Sequence, residues 1–300
     1  MVQGRHSGRK GAHMVRRSLI SLAEDWPEFL LEAMQARKLS RRTKISYLRI
    51  MTGFERSLFG QGLEIGMEAE VRRYIARLEK SGAAASTLNQ AISAIKFFYL
   101  RVMDRPLDID FRPRADKKLP EILPLQGIER IIAAAENQMH KLAIALAYSA
   151  GLRPSEIAAV KLCDIDRTRK TIFVHSGKGR KDRYTILADR TADLLDAYIA
   201  RVKPQKWLFP GHPNGHITVR ALQSAMTNAA QNAGYNEGAN MRKLRHSFAT
   251  HLIEQNTSLL AVRDLLGHES LATTQIYINV AVMSSLSTKS PYDNKVTKKP

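Results

Sequence analysis

A single cysteine, Cys163, in 300 residues excludes an internal disulfide and any zinc site assembled from several thiolates, and it suits a reducing compartment. No apolar run approaches the ~18 residues of a membrane span, and the basic leader from Met1 to Arg17 lacks the apolar stretch of a signal peptide. Acidic residues are scarce as well. Lys and Arg number 47 against 28 Asp and Glu, a formal net charge of +19, which favours a polyanionic partner held by counterion release. A merely basic protein, or one that touches anionic membranes, has the same charge, so charge alone does not select nucleic acid. The expectation is a cytoplasmic protein without a metal or cofactor. Its leader reads as disordered, with Met14 an alternative start.

Strand signal is missing from the first third of the chain. From Ile20 to about Arg105 the apolar residues recur at helical spacing: Trp26, Phe29, Leu30 and Met34, then Ile50, Phe54 and Leu58, then Val71, Tyr74, Ile75 and Leu78. Gly60 and Gly62 break the second helix, Ser81 to Ala85 forms a turn, and a fourth helix from Thr87 to Met103 points Ile92, Ile95, Phe98 and Leu100 inward. The stretch around Arg112 to Pro120 is proline-rich, basic and without periodicity, as a linker is. Beyond it, helices are expected over Gly127 to Ala135, His140 to Ala150, from Pro154, and over Ala192 to Val202, Val219 to Ala233, Lys243 to Asn256, Leu259 to Leu266 and Thr273 to Val280. Strand character is convincing once, in a hairpin of Thr171 to Val174 and Tyr184 to Leu187 turning through Gly177 and Gly179.

The predicted fold is therefore mainly α with a small β-sheet, in two domains. The order is a basic leader (1–19), a helical domain (20–108), a linker (109–120), a mixed α+β domain (121–283) and a polar basic tail (284–300).

Several residues of the second domain could act on a phosphodiester, which needs a nucleophile, cations on the non-bridging oxygens and an acid for the leaving oxygen. Arginine suits the second role because its planar fork donates paired hydrogen bonds and stays charged. Arg153 precedes the helix opening at Pro154 and either clamps an anion or pairs only with Glu156. Lys178, between Gly177 and Gly179 at the hairpin tip, either reaches a bound backbone or is a solvated turn lysine. Arg245 shares a helix side with Phe248 and Leu252, so it turns inward and needs a phosphate or carboxylate. Gly267 ends a helix and throws His268 into a turn. Tyr277 at helical spacing reads, by itself, as core packing.

Taken in order, these segments resemble the catalytic domain of tyrosine recombinases, particularly Xer-like integrases. Tyr148-Ser-Ala-Gly-Leu-Arg153-Pro-Ser-Glu156 resembles the first arginine box, Gly177-Lys178-Gly-Arg-Lys-Asp-Arg183 the hairpin lysine, and Lys243-Leu-Arg245-His-Ser-Phe-Ala-Thr-His251 the second arginine box. Leu265-Leu-Gly-His268 and Thr274-Gln-Ile-Tyr277 resemble the last two. The likeness runs from Leu22 to Val280, the first domain being similar to the family's helical core-binding, SAM-like domain.

The resemblance implies a site-specific recombinase that needs neither ATP nor metal and acts in integration, excision or resolution. Tyr277 would form a 3′-phosphotyrosyl intermediate, Arg153 and Arg245 would hold the non-bridging oxygens, His268 would donate a further hydrogen bond to phosphate, Lys178 would protonate the leaving oxygen, and Glu156 would support the site. One position departs from the pattern: Arg242 stands where the family has histidine three residues before the second arginine. A guanidinium cannot act as a base, though it can bind phosphate and lower the tyrosine's pKa. A competent but slower nucleophile is expected, with His246 and His251 substituting only in an unusual helix register.

For DNA, the resemblance points to Arg41, Arg42, Thr43, Lys44 and Tyr47 on one helix and Thr87, Asn89, Gln90 and Lys96 on another. The expected partner is double-stranded DNA held by both domains, bound by a homotetramer on two sites, with an accessory protein or partner recombinase and a nucleoid location. Two alternatives stand beside this: a DNA-binding accessory protein with weakened catalysis, and a strand relaxer of the type IB topoisomerase kind.

Overall fold

The computed structural model describes residues 19–58, 68–113, 121–175, 182–211, 215–235 and 238–284. The chain divides into two compact units, Met1–Lys117 and Lys118–Pro300.

In the first unit, the helical spacing of apolar residues produces α1 (Leu19–Ala36), α2 (Arg41–Ser57), α3 (Glu68–Lys80) and α4 (Ala85–Arg101). Ser40 opens α2 by accepting from the Thr43 backbone N–H at 3.1 Å, which satisfies one donor the first turn leaves free. α4 lies against the other three helices. It buries Leu88, Ala91, Ile92, Ile95, Phe98 and Tyr99. These meet Trp26, Leu30, Met34, Phe54 and Tyr74 in one core. Its aromatic rings meet edge to face, with Trp26 and Phe98 centroids 5.9 Å apart and Phe54 and Tyr74 5.4 Å apart. Leu100, expected inward, is exposed. It lies about 200° of helical rotation past Phe98, away from the buried stripe. Gly60 and Gly62 lie outside the described residues.

The second unit is built around α6 (Gln138–Ser149), in which Leu142 through Ala147 are all buried. The near-continuous apolar surface of this helix is explained by its neighbours: α5 (Leu125–Ala133), α8 (Asp189–Val202), α9 (Val219–Asn232) and α10 (Met241–Glu254) all pack on it. The short α7 (Pro154–Ala158) starts at the proline as expected, and α11 (Leu259–Leu266) and α12 (Leu271–Ser284) close the described chain. A three-stranded antiparallel sheet runs β1 (Ile165–Asp166), β2 (Thr171–Val174), β3 (Arg183–Ile186). The hairpin is thus present with its second strand one residue earlier than expected. Three strands gave no alternation to read, being two residues long: β1 and the paired β4 (Pro210–Gly211) and β5 (Gly215–His216). In β3 the alternation buries Arg183 and Thr185 and exposes Tyr184 and Ile186. Thr185 then donates to the Ala150 carbonyl at 2.7 Å, which fastens the strand to the end of α6.

Among the described residues no helix is long and apolar enough to cross a membrane.

Candidate active site

Three arginines from separate parts of the chain converge on one carboxylate. Two residues past the end of α6 comes Gly151, whose φ of +60° places it in the left-handed region, and a Cβ there would overlap the Phe248 ring. The chain then delivers Arg153 as the residue before α7 and Glu156 in its first turn. Glu156 accepts from the Arg153 backbone at 2.9 Å and from the Arg153 guanidinium at 2.7 Å. On its other side Arg183, from β3, binds both carboxylate oxygens at 3.0 and 2.8 Å and donates Nε–H to the Leu265 carbonyl at 2.8 Å. Arg245, from α10, approaches the same carboxylate to 3.8 Å. Burial alone would raise the Glu156 pKa, but the contacts with Arg183 and Arg153 outweigh it and hold the carboxyl down at about 2.

Arg245 is buried, as its alignment with Phe248 predicts. Its Nη1 donates to the Gly151 carbonyl and its Nη2 to the Leu266 carbonyl, the latter at 2.6 Å. Burial first, then the neighbouring Arg153 and Arg183, press its pKa to about 9, so it remains a cation at neutral pH. Gly267 caps α11 with φ +62°, and a Cβ at that position would lie 2.8 Å from the Arg183 side chain.

That cap sends His268 into a turn at the site, as the sequence predicts. Its Nε2 lies 3.3 Å from Arg245 Nη2 and its Nδ1 lies 3.0 Å from the Thr274 hydroxyl. A guanidinium can only donate, so Nε2 accepts and the ring proton sits on Nδ1, toward Thr274. In this arrangement His268 accepts from Arg245 and steadies it. Burial, followed by the charges of Arg245, Arg153 and Arg183, lowers its pKa to about 4 and keeps it neutral.

Tyr277 projects from α12 into a small apolar cluster with Phe248, Ala249, Val262 and Leu266, and its ring stacks on His268 at 6.2 Å. Burial pushes the phenol pKa up, against the pull of Arg245, Arg153 and Arg242. The phenol oxygen is 2.8 Å from His246 Nδ1. This corrects an expectation: His246 reaches Tyr277 from an ordinary α-helix. His251 does not reach it and instead meets the Tyr148 hydroxyl at 2.9 Å. Arg242 stands exposed in the first turn of α10, where its charge acts on both Tyr277 and His246.

One residue at the centre, Arg183, was not assigned a role from sequence, and His246 was expected to serve only in an unusual helix register. Arg183 did leave a signal, since a cation at an inward position of a strand requires an anion. Lys178 lies outside the described residues. Among the described residues no group of three or more His, Cys, Asp or Glu is placed to hold a metal ion.

In the first unit, Arg41 and Arg42 are exposed in the first turn of α2 and Lys44 is half-buried. Thr43 shares its hydroxyl with Ser40 at 2.8 Å, and Tyr47 packs edge-on against Phe97 at 5.7 Å. Thr87 and Gln90 are exposed on α4. Asn89 and Lys96 are engaged within the domain instead. They donate to the carbonyls of Pro113 at 2.7 Å and Ile109 at 3.0 Å, tying the outgoing chain to α4.

Comparison with known proteins points to one family. Residues 121–283 match the phage integrase family, and residues 27–109 match the N-terminal SAM-like domain of phage integrases. A putative integrase/recombinase, y4qK, of Sinorhizobium fredii is 34% identical over 267 residues, covering 87% of this chain and 86% of that protein. Tyrosine recombinase XerD of Caulobacter vibrioides is 33% identical over 288 residues, covering 87% and 94%. The Tn1549 transposon integrase, solved in complex with transposon right end DNA, shares the fold with a TM-score of 0.70 at 16% identity over 87% of this chain and 98% of that one.

Proposed function

The chain belongs to the phage integrase family as a tyrosine site-specific recombinase, and on that footing we propose that it exchanges DNA strands through a 3′-phosphotyrosyl intermediate on Tyr277. The observation that carries the reading is the position of one phenol within the field of Arg153, Arg242 and Arg245. Cations placed where charge accumulates on a phosphoryl group stabilise the transition state, because their orientation is fixed before the reaction begins.

In this reading Arg153 and Arg245 bind the non-bridging oxygens, and Arg242 adds positive potential at the rim. Glu156 keeps the two clamp arginines apart and aimed. His268 steadies Arg245 and becomes a donor once the phosphate's negative charge favours its protonation. Lys178 protonates the departing 5′ oxygen. The phosphotyrosyl ester conserves the energy of the broken bond, so the rejoining step draws on no nucleotide. Residues 20–108 act as a core-binding domain and 121–283 as the catalytic domain, with 109–120 as a linker that lets both engage one duplex. Exchange between two duplexes takes four cuts, which a homotetramer on two sites supplies, alone or with an accessory protein or partner recombinase. The protein then works wherever its DNA lies, in the cytoplasm at the nucleoid, in integration, excision or resolution.

A nicked suicide duplex that cannot be religated is expected to trap a covalent protein–DNA adduct, and peptide mapping is expected to find the DNA on Tyr277. Two marked sites in one tube are expected to yield recombinants. Relaxation of supercoils without recombinants would instead favour a topoisomerase, and binding without any adduct would favour an accessory protein.

The exposed Arg41 and Arg42 are proposed to bind DNA phosphates. Replacing both with alanine is expected to weaken binding to all duplexes alike and to flatten the slope of log affinity against log salt by about 1.8, at roughly 0.9 for each phosphate no longer neutralised. A slope unchanged in the double variant removes this face from the interface.

A further inference from the structure

We propose that His246 is the proton acceptor for Tyr277, made competent as a base by the arrival of the DNA phosphate. The inference rests on the phosphotyrosyl reading above and adds the group which that reading lacked, since Arg242 occupies the position of the family histidine and no guanidinium takes a proton at ordinary pH.

The geometry is direct. His246 Nδ1 is 2.8 Å from the phenol oxygen, within range for proton transfer, and it is the hydrogen-bond partner of that hydroxyl among the described residues. A phenol is the better donor of the two groups, so the bond runs from Tyr277 to Nδ1 and places the ring proton on Nε2. Their rings lie 5.5 Å apart at 46°, and the contact at 2.8 Å is to the hydroxyl end.

Charge then explains why the pair stays idle without DNA. Around His246 stand Arg242 and Arg245 on its own helix, His268 from the turn after α11 and Tyr277 on α12, while Arg153 and Glu156 act on Arg245 behind them. Burial, then Arg242 and Arg245, hold the imidazole pKa at about 4, while burial holds the phenol above its ordinary value. In that state the proton stays on the phenol. A phosphodiester bound to Arg153 and Arg245 carries a negative charge into the same space and offsets the cations that oppose protonation of His246. Substrate binding thereby raises the base and supplies the electrophile in one event.

The step balances. The Tyr277 O–H bond breaks as its proton passes to Nδ1; the phenol oxygen bonds to phosphorus; the bond from phosphorus to the 5′ oxygen breaks, and that oxygen takes a proton from the acid assigned to Lys178. On rejoining, the incoming 5′ hydroxyl gives its proton to the neutral Lys178 amine as it attacks phosphorus. The phenol oxygen leaves and recovers its proton from His246.

The test uses the full chain, a suicide duplex and single-turnover cleavage. His246→Asn keeps a hydrogen-bonding atom near the position of Nδ1 without a basic nitrogen. It is expected to melt and bind duplex like the wild type but to form adduct about 10² to 10⁴-fold more slowly. The wild-type rate is expected to fall as acid protonates the imidazole, and His246→Asn to lack that dependence. Added imidazole is expected to restore cleavage by His246→Ala in proportion to its free base. Cleavage by His246→Asn within about threefold of wild type, or a slow variant with an unchanged pH profile and no imidazole rescue, overturns the proposal. Absence of adduct from the wild type itself overturns the phosphotyrosyl reading instead, which keeps the two failures distinct.

Discussion

Replacing Tyr277 with phenylalanine is expected to abolish covalent capture of DNA while leaving the fold and the affinity for duplex almost intact. The ring, which packs with Phe248, Val262 and Leu266 and stacks on His268, is retained in full. What disappears is one oxygen and its bond to His246. A net loss of about 1 kcal/mol of stability is the usual size for a single hydrogen bond, too little to unfold the chain. The effect on chemistry is of another order. No guanidinium can replace a nucleophile, so adduct on a suicide duplex should fall below detection rather than merely slow down. Binding measured by gel shift should stay within a few-fold, since Arg153, Arg242 and Arg245 are untouched. An adduct that persists in Tyr277→Phe would move the nucleophile elsewhere and remove the reason for the whole arrangement.

Glu156→Ala is expected to be the most destabilising of the polar substitutions at the site. Its carboxylate is shared by Arg153 and Arg183 and approached by Arg245, and the Arg183 and Arg245 side chains are each only 7% exposed. Removing one partner of a buried ion pair leaves uncompensated charge and costs about 3–5 kcal/mol. For a domain of this size that is a fall in Tm of roughly 6–20 °C. The pH dependence follows from the same contacts. The carboxyl's pKa is lowered from 4.5 to about 2 on folding, so its contribution is complete above the unfolded value and drains away as pH falls toward the folded one. Wild-type melts taken across that acid window should decline more steeply than those of Glu156→Gln, which has nothing to titrate. Adduct formation by Glu156→Gln should also drop, because the clamp arginines lose the group that sets their separation. Melting points that match the wild type would show the cluster to be ornamental.

Much of this was legible in the residues, and the reasons are local. Helices announce themselves by spacing: Leu259 to Leu266 ended where Gly267 predicted, and the inward turn of Arg245 followed from its alignment with Phe248. The catalytic candidates could be assembled only as an ordered set, since each segment alone had an ordinary structural explanation. What sequence could not reveal was pairing across distance. Arg183 and Glu156 are 27 residues apart, and His246 and Tyr277 are 31 apart, so their contacts depend on how β3 and α12 pack rather than on any local pattern. The same holds for Asn89 and Lys96. On a helical wheel they look free for DNA, yet the chain leaving the helix returns to occupy them. His268 was placed correctly in its turn, but its proton belongs to Thr274 because the neighbouring donor is an arginine.

The gathering of Arg153, Arg183 and Arg245 about a single carboxylate has a thermodynamic corollary. Like charges held this close strain the unbound protein, and an incoming phosphate relieves that strain, so part of what is measured as affinity is repulsion removed. Substitutions that calm the cluster should make a sturdier protein and a poorer recombinase. Selection for heat resistance alone would thus be expected to wear away the site before the scaffold.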